Sequence, residues 1–167
     1  MYGRGLRLSE ALALRREDVD LRAGTLLIRE TKFYKSRLVP MGPNLTRALA
    51  ASIDATPAKP ADSRAFFVNR RGGAIPHQTI RCNFASLRGS VEVSGRLHDF
   101  RHTFAVHRLL AWYREGADVQ RLVPHLSTYL GHARMASTQR YLTMTPELLE
   151  QASHRFETYA RSEGCHD

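Results

Sequence analysis

Four short segments, far apart in the chain, set polar side chains of reactive or anion-binding type in otherwise apolar surroundings. They are Gly5-Leu6-Arg7-Leu8-Ser9-Glu10, the stretch around Lys32, His98-Asp99-Phe100-Arg101-His102, and Leu130-Gly131-His132 followed by Tyr141. A guanidinium keeps its charge at any accessible pH and grips phosphate through a planar fork, so Arg7 and Arg101 are candidate anion-binding groups. His98 and Arg101 stand three residues apart, roughly 300° around a helix, so both can point into one cleft and share one anionic group. A tyrosine with a pKa near 10 is about one part in a thousand ionised at neutral pH, so Tyr141 needs a base to become a useful nucleophile. On one continuous helix His132 and Tyr141 would lie about two and a half turns apart on opposite faces; a break is required, and Gly131 with Ser137 can supply it. His98 and His102 have the i, i+4 spacing of zinc ligands, but no Glu follows His98 as in HExxH and no further ligand cluster stands nearby, so no metal is expected.

These residues need a scaffold. The chain has 167 residues, 43% hydrophobic and 25% charged, which suits one globular domain that buries roughly two thirds of its unfolded surface. No run approaches the roughly 18 apolar residues of a membrane span, and the N-terminus lacks a signal-peptide core, so a cytoplasmic protein without membrane contact is expected. Cys82 and Cys165 can build neither a disulfide framework nor a four-thiolate zinc site. No cofactor is expected. Basic residues outnumber acidic ones 25 to 16, giving a net charge of +9, which points to a polyanion such as nucleic acid. All the basic residues except Lys32, Lys35 and Lys59 are arginines, an excess that compositional bias toward Ala and Arg largely explains.

Periodicity predicts a short helix over Leu6 to Arg15, then β-favouring runs at Thr25 to Arg29 and Arg37 to Met41 that form a hairpin with a basic tip. A helix over Pro43 to Ala55 follows, with proline in its first turn, and a proline-bearing loop at 56–62. Ala65 to Val68 reads as one more strand, turned by Arg70-Arg71-Gly72-Gly73. From Pro76 the chain reads as helical, with its strongest segment at His98 to Glu115 stopped by Gly116. Pro124 is expected to break the next helix and leave a new turn at Ser127 to Leu130 that ends at Gly131. Ser137 to Leu142 follows, and Thr145-Pro146-Glu147 opens a last helix as an N-cap, a first-turn proline and a dipole-matched acid.

The motif set resembles the tyrosine recombinase, or phage integrase, family. Gly5-Leu6-Arg7-Leu8-Ser9-Glu10 matches its arginine motif, Arg37 to Pro40 the Arg-Leu-Val-Pro strand after the hairpin, His98-Asp99-Phe100-Arg101 the HxxR box and Leu130-Gly131-His132 the LGH box, with Tyr141 after it. The resemblance covers nearly the whole chain. It implies an α+β, mainly helical fold with a small antiparallel sheet, over residues 1–167, lacking the N-terminal DNA-clamping domain and the first helices of the family's catalytic domain. The segment between the HxxR and LGH boxes, at 111–125, is longer than is common there.

What the resemblance implies chemically is site-specific cleavage and rejoining of double-stranded DNA, as in integration of a mobile element, without metal or nucleotide. Tyr141 would be the nucleophile and His98 its base; Arg7 and Arg101 would hold the charge on the nonbridging oxygens; His132 would hydrogen-bond the scissile phosphate. The hairpin lysine would protonate the leaving 5′ oxygen, a role assigned to Lys32 over Lys35. Tyr129 is the main rival to Tyr141, and His102 is a candidate supporting group. Lys35, Arg70, Arg71 and Arg140 are expected on DNA, and residues 145–160 in self-association of synaptic-tetramer type. The competing reading is an integrase fragment that binds DNA without efficient recombination; type IB topoisomerase activity shares the chemistry.

Overall fold

The computed structural model describes residues 3–29, 36–55, 64–92, 94–132, 134–143 and 146–163, without the side chains of Thr143 and 158–163. The chain divides into two compact units, residues 1–101 and 102–167.

The first unit carries an antiparallel three-stranded sheet in the order β1 (Val19–Asp20), β2 (Thr25–Ile28), β3 (Arg37–Pro40). The Asp20 carboxylate closes the first turn by accepting the backbone N–H groups of Arg22 and Ala23, and Gly24 completes it at a φ of 63° that glycine adopts without steric cost. Leu26 pairs with Val39 and Ile28 with Arg37. The two-residue period of the pleat buries Leu26, Ile28 and Val39 and leaves Leu38 exposed. Lys32 and Lys35, at the expected hairpin tip, lie outside the described residues.

The helix α1 (Leu8–Leu12) is shorter at both ends than the expected Leu6 to Arg15. Gly5 has a φ of 62° and Arg7 is extended, so helical backbone cannot start before Leu8. At the other end the backbone of Leu14 to Arg16 is engaged elsewhere: Leu14 C=O accepts Phe66 N–H at 2.8 Å and Arg16 N–H reaches Arg64 C=O at 3.1 Å. The expected strand at Ala65 to Val68 forms no ladder. Ala65 makes an isolated bridge to Arg15 and Val68 one to Ala74. Its length is cut by Asn69, whose side-chain oxygen accepts the N–H groups of Arg71 (2.9 Å) and Gly73 (3.1 Å) and reverses the chain at once. The helix α2 (Pro43–Asp54) starts on its proline as expected, and α3 (His77–Ser90) follows Pro76. The loop expected at 56–62 lies outside the described residues.

The second unit is helical. It holds α4 (Asp99–Arg114) from His102 onward, α5 (Val119–Leu130), α6 (Ala136–Gln139), a 3₁₀ turn at Arg140–Thr143 and α7 (Pro146–Glu163). Ala105, Val106, Leu109, Val119, Val123, Leu126, Leu130, Tyr141 and Leu148 form its core. Gly116 stops α4 as expected: at a φ of 74° it lets its own N–H reach Tyr113 C=O and Ala117 N–H reach Trp112 C=O.

Pro124 does not break α5, contrary to expectation. The helix begins five residues earlier, at Val119, where the carboxylate of its N-cap Asp118 accepts Arg121 N–H at 3.1 Å, and its buried stripe of Val119, Val123, Leu126 and Leu130 runs across the proline. An interior proline costs about 3 kcal/mol, whereas each fully buried Val or Leu returns about 1.5–3 kcal/mol, so the stripe outweighs the lost hydrogen bond. The segment expected at Ser137 to Leu142 is divided between α6 and the 3₁₀ turn. Pro146 opens α7 as expected, while Thr145 lies outside the described residues. Among the described residues no helix is long and apolar enough to cross a membrane.

Candidate active site

In the first unit Glu10 gathers the arginines. It is the third residue of α1, and its Oε2 accepts the backbone N–H of Arg7 at 2.9 Å, the reaching-back half of a capping box. The same carboxylate accepts Arg7 Nη1 at 2.7 Å and takes a two-pronged bond from Arg37, at 3.2 and 2.9 Å. Arg101 Nη1 lies 3.9 Å from it and donates to the carbonyl of Gly5, which the left-handed backbone at Gly5 turns toward it. Arg101 is wholly buried and Glu10 nearly so. Burial raises the Glu10 pKa, but the Arg37 hydrogen bond, the Arg7 N–H, the Arg37 charge and the Arg7 side chain together outweigh it and hold the carboxyl below its usual range. Three guanidiniums around one carboxylate leave an excess of positive charge beside α1. Neither Glu10 nor Arg37 was assigned a role from sequence; Glu10 three residues after Arg7 was the available signal.

Arg7 and His98 both line a cleft of about 480 Å³. Arg101, expected to share this cleft with His98, is not among its lining residues: it is wholly buried, with Nη1 turned to the Gly5 carbonyl. The walls also carry His77, Arg81, Arg88 and Arg96, with no carboxylate among them. Sequence reasoning missed this set, although His77, Arg81 and Arg88 fall on one face of α3 at spacings of four and seven. Arg88 donates to Gly95 C=O at 2.9 Å. Among the described residues the side chains of His77 and Arg81 have no hydrogen-bond or ion-pair partner, so both can meet an incoming anion. His98 is exposed and stands just before α4, its carbonyl accepting Arg101 N–H at 3.0 Å.

In the second unit Gly131 supplies the expected break ahead of α6, whereas Ser137, expected to share in it, lies inside α6. Gly131 ends α5 at a φ of 65°, its N–H reaching Thr128 C=O and that of His132 reaching Ser127 C=O at 3.0 Å. This turn brings His132 Nδ1 within 2.7 Å of Thr138 Oγ1 on α6, and Thr138 is completely buried. Tyr141 follows on the 3₁₀ turn, 3% exposed, with its ring 6.0 Å from that of His132 and edge-on to His102 at 5.3 Å. Its rival Tyr129 is half-buried and stacks on Phe104. Arg70 and Arg71 are exposed on the Asn69 turn, and Arg140 is exposed beside Tyr141.

Residues 1–147 match the family model described as Phage integrase family. Over 158 residues the chain is 43% identical to the putative integrase/recombinase y4rE of Sinorhizobium fredii, covering 90% of this chain and 51% of that protein. It is 36% identical over 159 residues to the tyrosine recombinase XerC of Oceanobacillus iheyensis, covering 91% and 49%. The chain thus spans about half the length of the curated relatives it matches. The crystal structure of XerA recombinase superposes with a TM-score of 0.75 at 27% identity, over 93% of this chain and 53% of that one. The fold is that of tyrosine recombinase catalytic domains, and the chain belongs to the phage integrase family.

Proposed function

We propose that residues 1–167 are the catalytic domain of a site-specific recombinase that cleaves and rejoins double-stranded DNA through a covalent 3′-phosphotyrosine. The observation that carries this reading is the cleft in which Arg7 and His98 stand with Arg81, Arg88 and Arg96 and no carboxylate, a cationic environment suited to a phosphodiester.

In this reading Tyr141 Oη attacks phosphorus, the bond from phosphorus to the 5′ oxygen breaks, and the phenolic proton passes to His98. Lys32 supplies a proton to the departing 5′ oxygen. Arg7, held by Glu10 at the cleft wall, balances the charge that develops on the nonbridging oxygens, and the buried Arg101 adds positive charge behind it, the kind of preorganised electrostatic support that lowers such barriers. His132 hydrogen-bonds the same phosphate. The phosphotyrosine conserves the bond energy, so a 5′ hydroxyl from another strand reverses the step without nucleotide. At 3% exposure the Tyr141 phenol has to leave its packing to react, so the 3₁₀ turn that carries it opens during cleavage. Lys35, Arg70, Arg71 and Arg140 extend the contact along the backbone, and residues 145–160 mediate self-association on DNA in the cytoplasm.

The test is covalent capture. A library of nicked duplexes randomised around the nick, whose cleavage releases a short strand and blocks religation, should yield SDS-resistant protein–DNA complexes with the wild-type chain in EDTA without added nucleotide. Tyr141→Phe should yield none. Capture that survives in the Phe variant, or that requires a divalent ion, overturns the assignment.

A further inference from the structure

We propose that Thr138 is a positioning residue that fixes the tautomer of His132, placing the ring proton on Nε2 so that this residue meets the scissile phosphate as a donor. The inference rests on the reading of His132 as a phosphate ligand and adds the group that makes it one.

The argument is an accounting of one buried proton. Thr138 is fully buried, and among the described residues its hydroxyl has a single hydrogen-bond partner, His132 Nδ1 at 2.7 Å. A hydroxyl carries one proton and a neutral imidazole carries one N–H. If Nδ1 were the protonated nitrogen it would donate to Oγ1, and the threonine proton would then be buried with no acceptor, which is costly. If the hydroxyl donates instead, Nδ1 is the acceptor, both groups are satisfied, and the ring proton lies on Nε2. The second arrangement follows from the geometry, and it is the one in which His132 offers a donor at its far edge.

The surrounding structure serves the same end. Gly131 in its left-handed conformation and the bond from His132 N–H to Ser127 C=O hold the histidine backbone, while the Tyr141 ring lies against the imidazole at a 27° interplanar angle. Backbone and ring are therefore held from three sides, and the hydroxyl supplies what packing cannot, a choice between two nitrogens. Thr138 backs onto Met135 through its own N–H at 2.8 Å, so the side chain is carried on the first turn of α6 rather than on a mobile link.

The tautomer can be read directly on the free 167-residue chain. Ring ¹⁵N signals of His132, followed upward in pH until they stop shifting, should show a protonated Nε2 and a bare Nδ1 in the wild type and in Thr138→Ser. In the isosteric Thr138→Val they should show a mixture of the two forms. In the capture assay Thr138→Val should slow cleavage about tenfold without weakening DNA binding, with Ser restoring the rate. In a His132→Ala background Thr138→Val should have no further effect on cleavage, whereas a merely structural role would persist. A wild-type ring protonated on Nδ1, or an unchanged tautomer in the valine variant, overturns the proposal. The spectroscopic arm needs no activity, so a chain that shows the tautomer but captures no DNA counts against the recombinase reading and leaves the Thr138 pairing standing.

Discussion

Replacing Glu10 by glutamine tests the electrostatics of the arginine cluster. The variant keeps the shape of the side chain and one acceptor oxygen but removes the charge that Arg7 and Arg37 engage at 2.7 and 2.9 Å and that Arg101 approaches at 3.9 Å. With side-chain exposures of 6% for Glu10, 12% for Arg37 and none for Arg101, water can replace the lost carboxylate only at Arg7, which is 26% exposed. Taking one partner from a buried ion pair costs about 3–5 kcal/mol, and the retained amide oxygen recovers part of that, so a loss of about 2–3 kcal/mol is expected at pH 7. Against a total stability of about 5–15 kcal/mol this is readily measured by urea unfolding.

The pH dependence gives the experiment its second axis. The folded-state pKa of Glu10 is depressed, so its contribution is complete above the unfolded value of about 4.3 and is lost as pH falls through the folded value. The gap between wild type and Glu10→Gln should therefore be largest at neutral pH and narrow only as pH falls below the unfolded value. A gap under about 0.5 kcal/mol at pH 7, within the range of ordinary surface substitutions, would refute the argument that the carboxylate holds the arginines. So would a gap that widens on acidification.

Two further outcomes follow from the same geometry. Arg81→Ala should weaken binding to duplex DNA by a similar factor for all sequences and reduce the slope of log K against log salt by about one; an unchanged slope would remove Arg81 from the phosphate contact. Gly131→Ala should destabilise the chain by about 1–2 kcal/mol, because a φ of 65° forces a side chain into the left-handed region, and stability unchanged on urea unfolding would count against the cap.

Local chemistry in the sequence anticipated most of the second unit and misjudged the places where a distant segment competes. Gly116 and Gly131 were legible as helix ends because a left-handed cap depends on one residue type and its nearest carbonyls. Pro124 was misread because the proline rule is local, whereas the apolar stripe that carries α5 through it draws on the whole unit core. The truncation of α1 has the same origin. Leu14 to Arg16 have helical spacing, but their backbone groups are taken by Arg64 and Phe66, some fifty residues away, and no property of Leu6 to Arg15 signals that.

The candidate site divides along a similar line. Arg7, His98, Arg101, His132 and Tyr141 stood out because their chemistry is carried by residue type within ordered motifs. The groups that hold them did not, because a supporting role is defined by what lies across space. Glu10 and Arg37 meet over 27 residues of chain, and Arg101 finds the Gly5 carbonyl over 96. Thr138 is the extreme instance: a small hydroxyl six residues after His132, indistinguishable in sequence from its neighbour Ser137, which is exposed. Burial alone separates them, since a hydroxyl in water can choose among many partners while one sealed against an imidazole has to donate to it. An arginine or histidine can be proposed for a phosphate from its type, but whether it arrives charged, oriented and in the right tautomer is decided by residues whose own types are unremarkable.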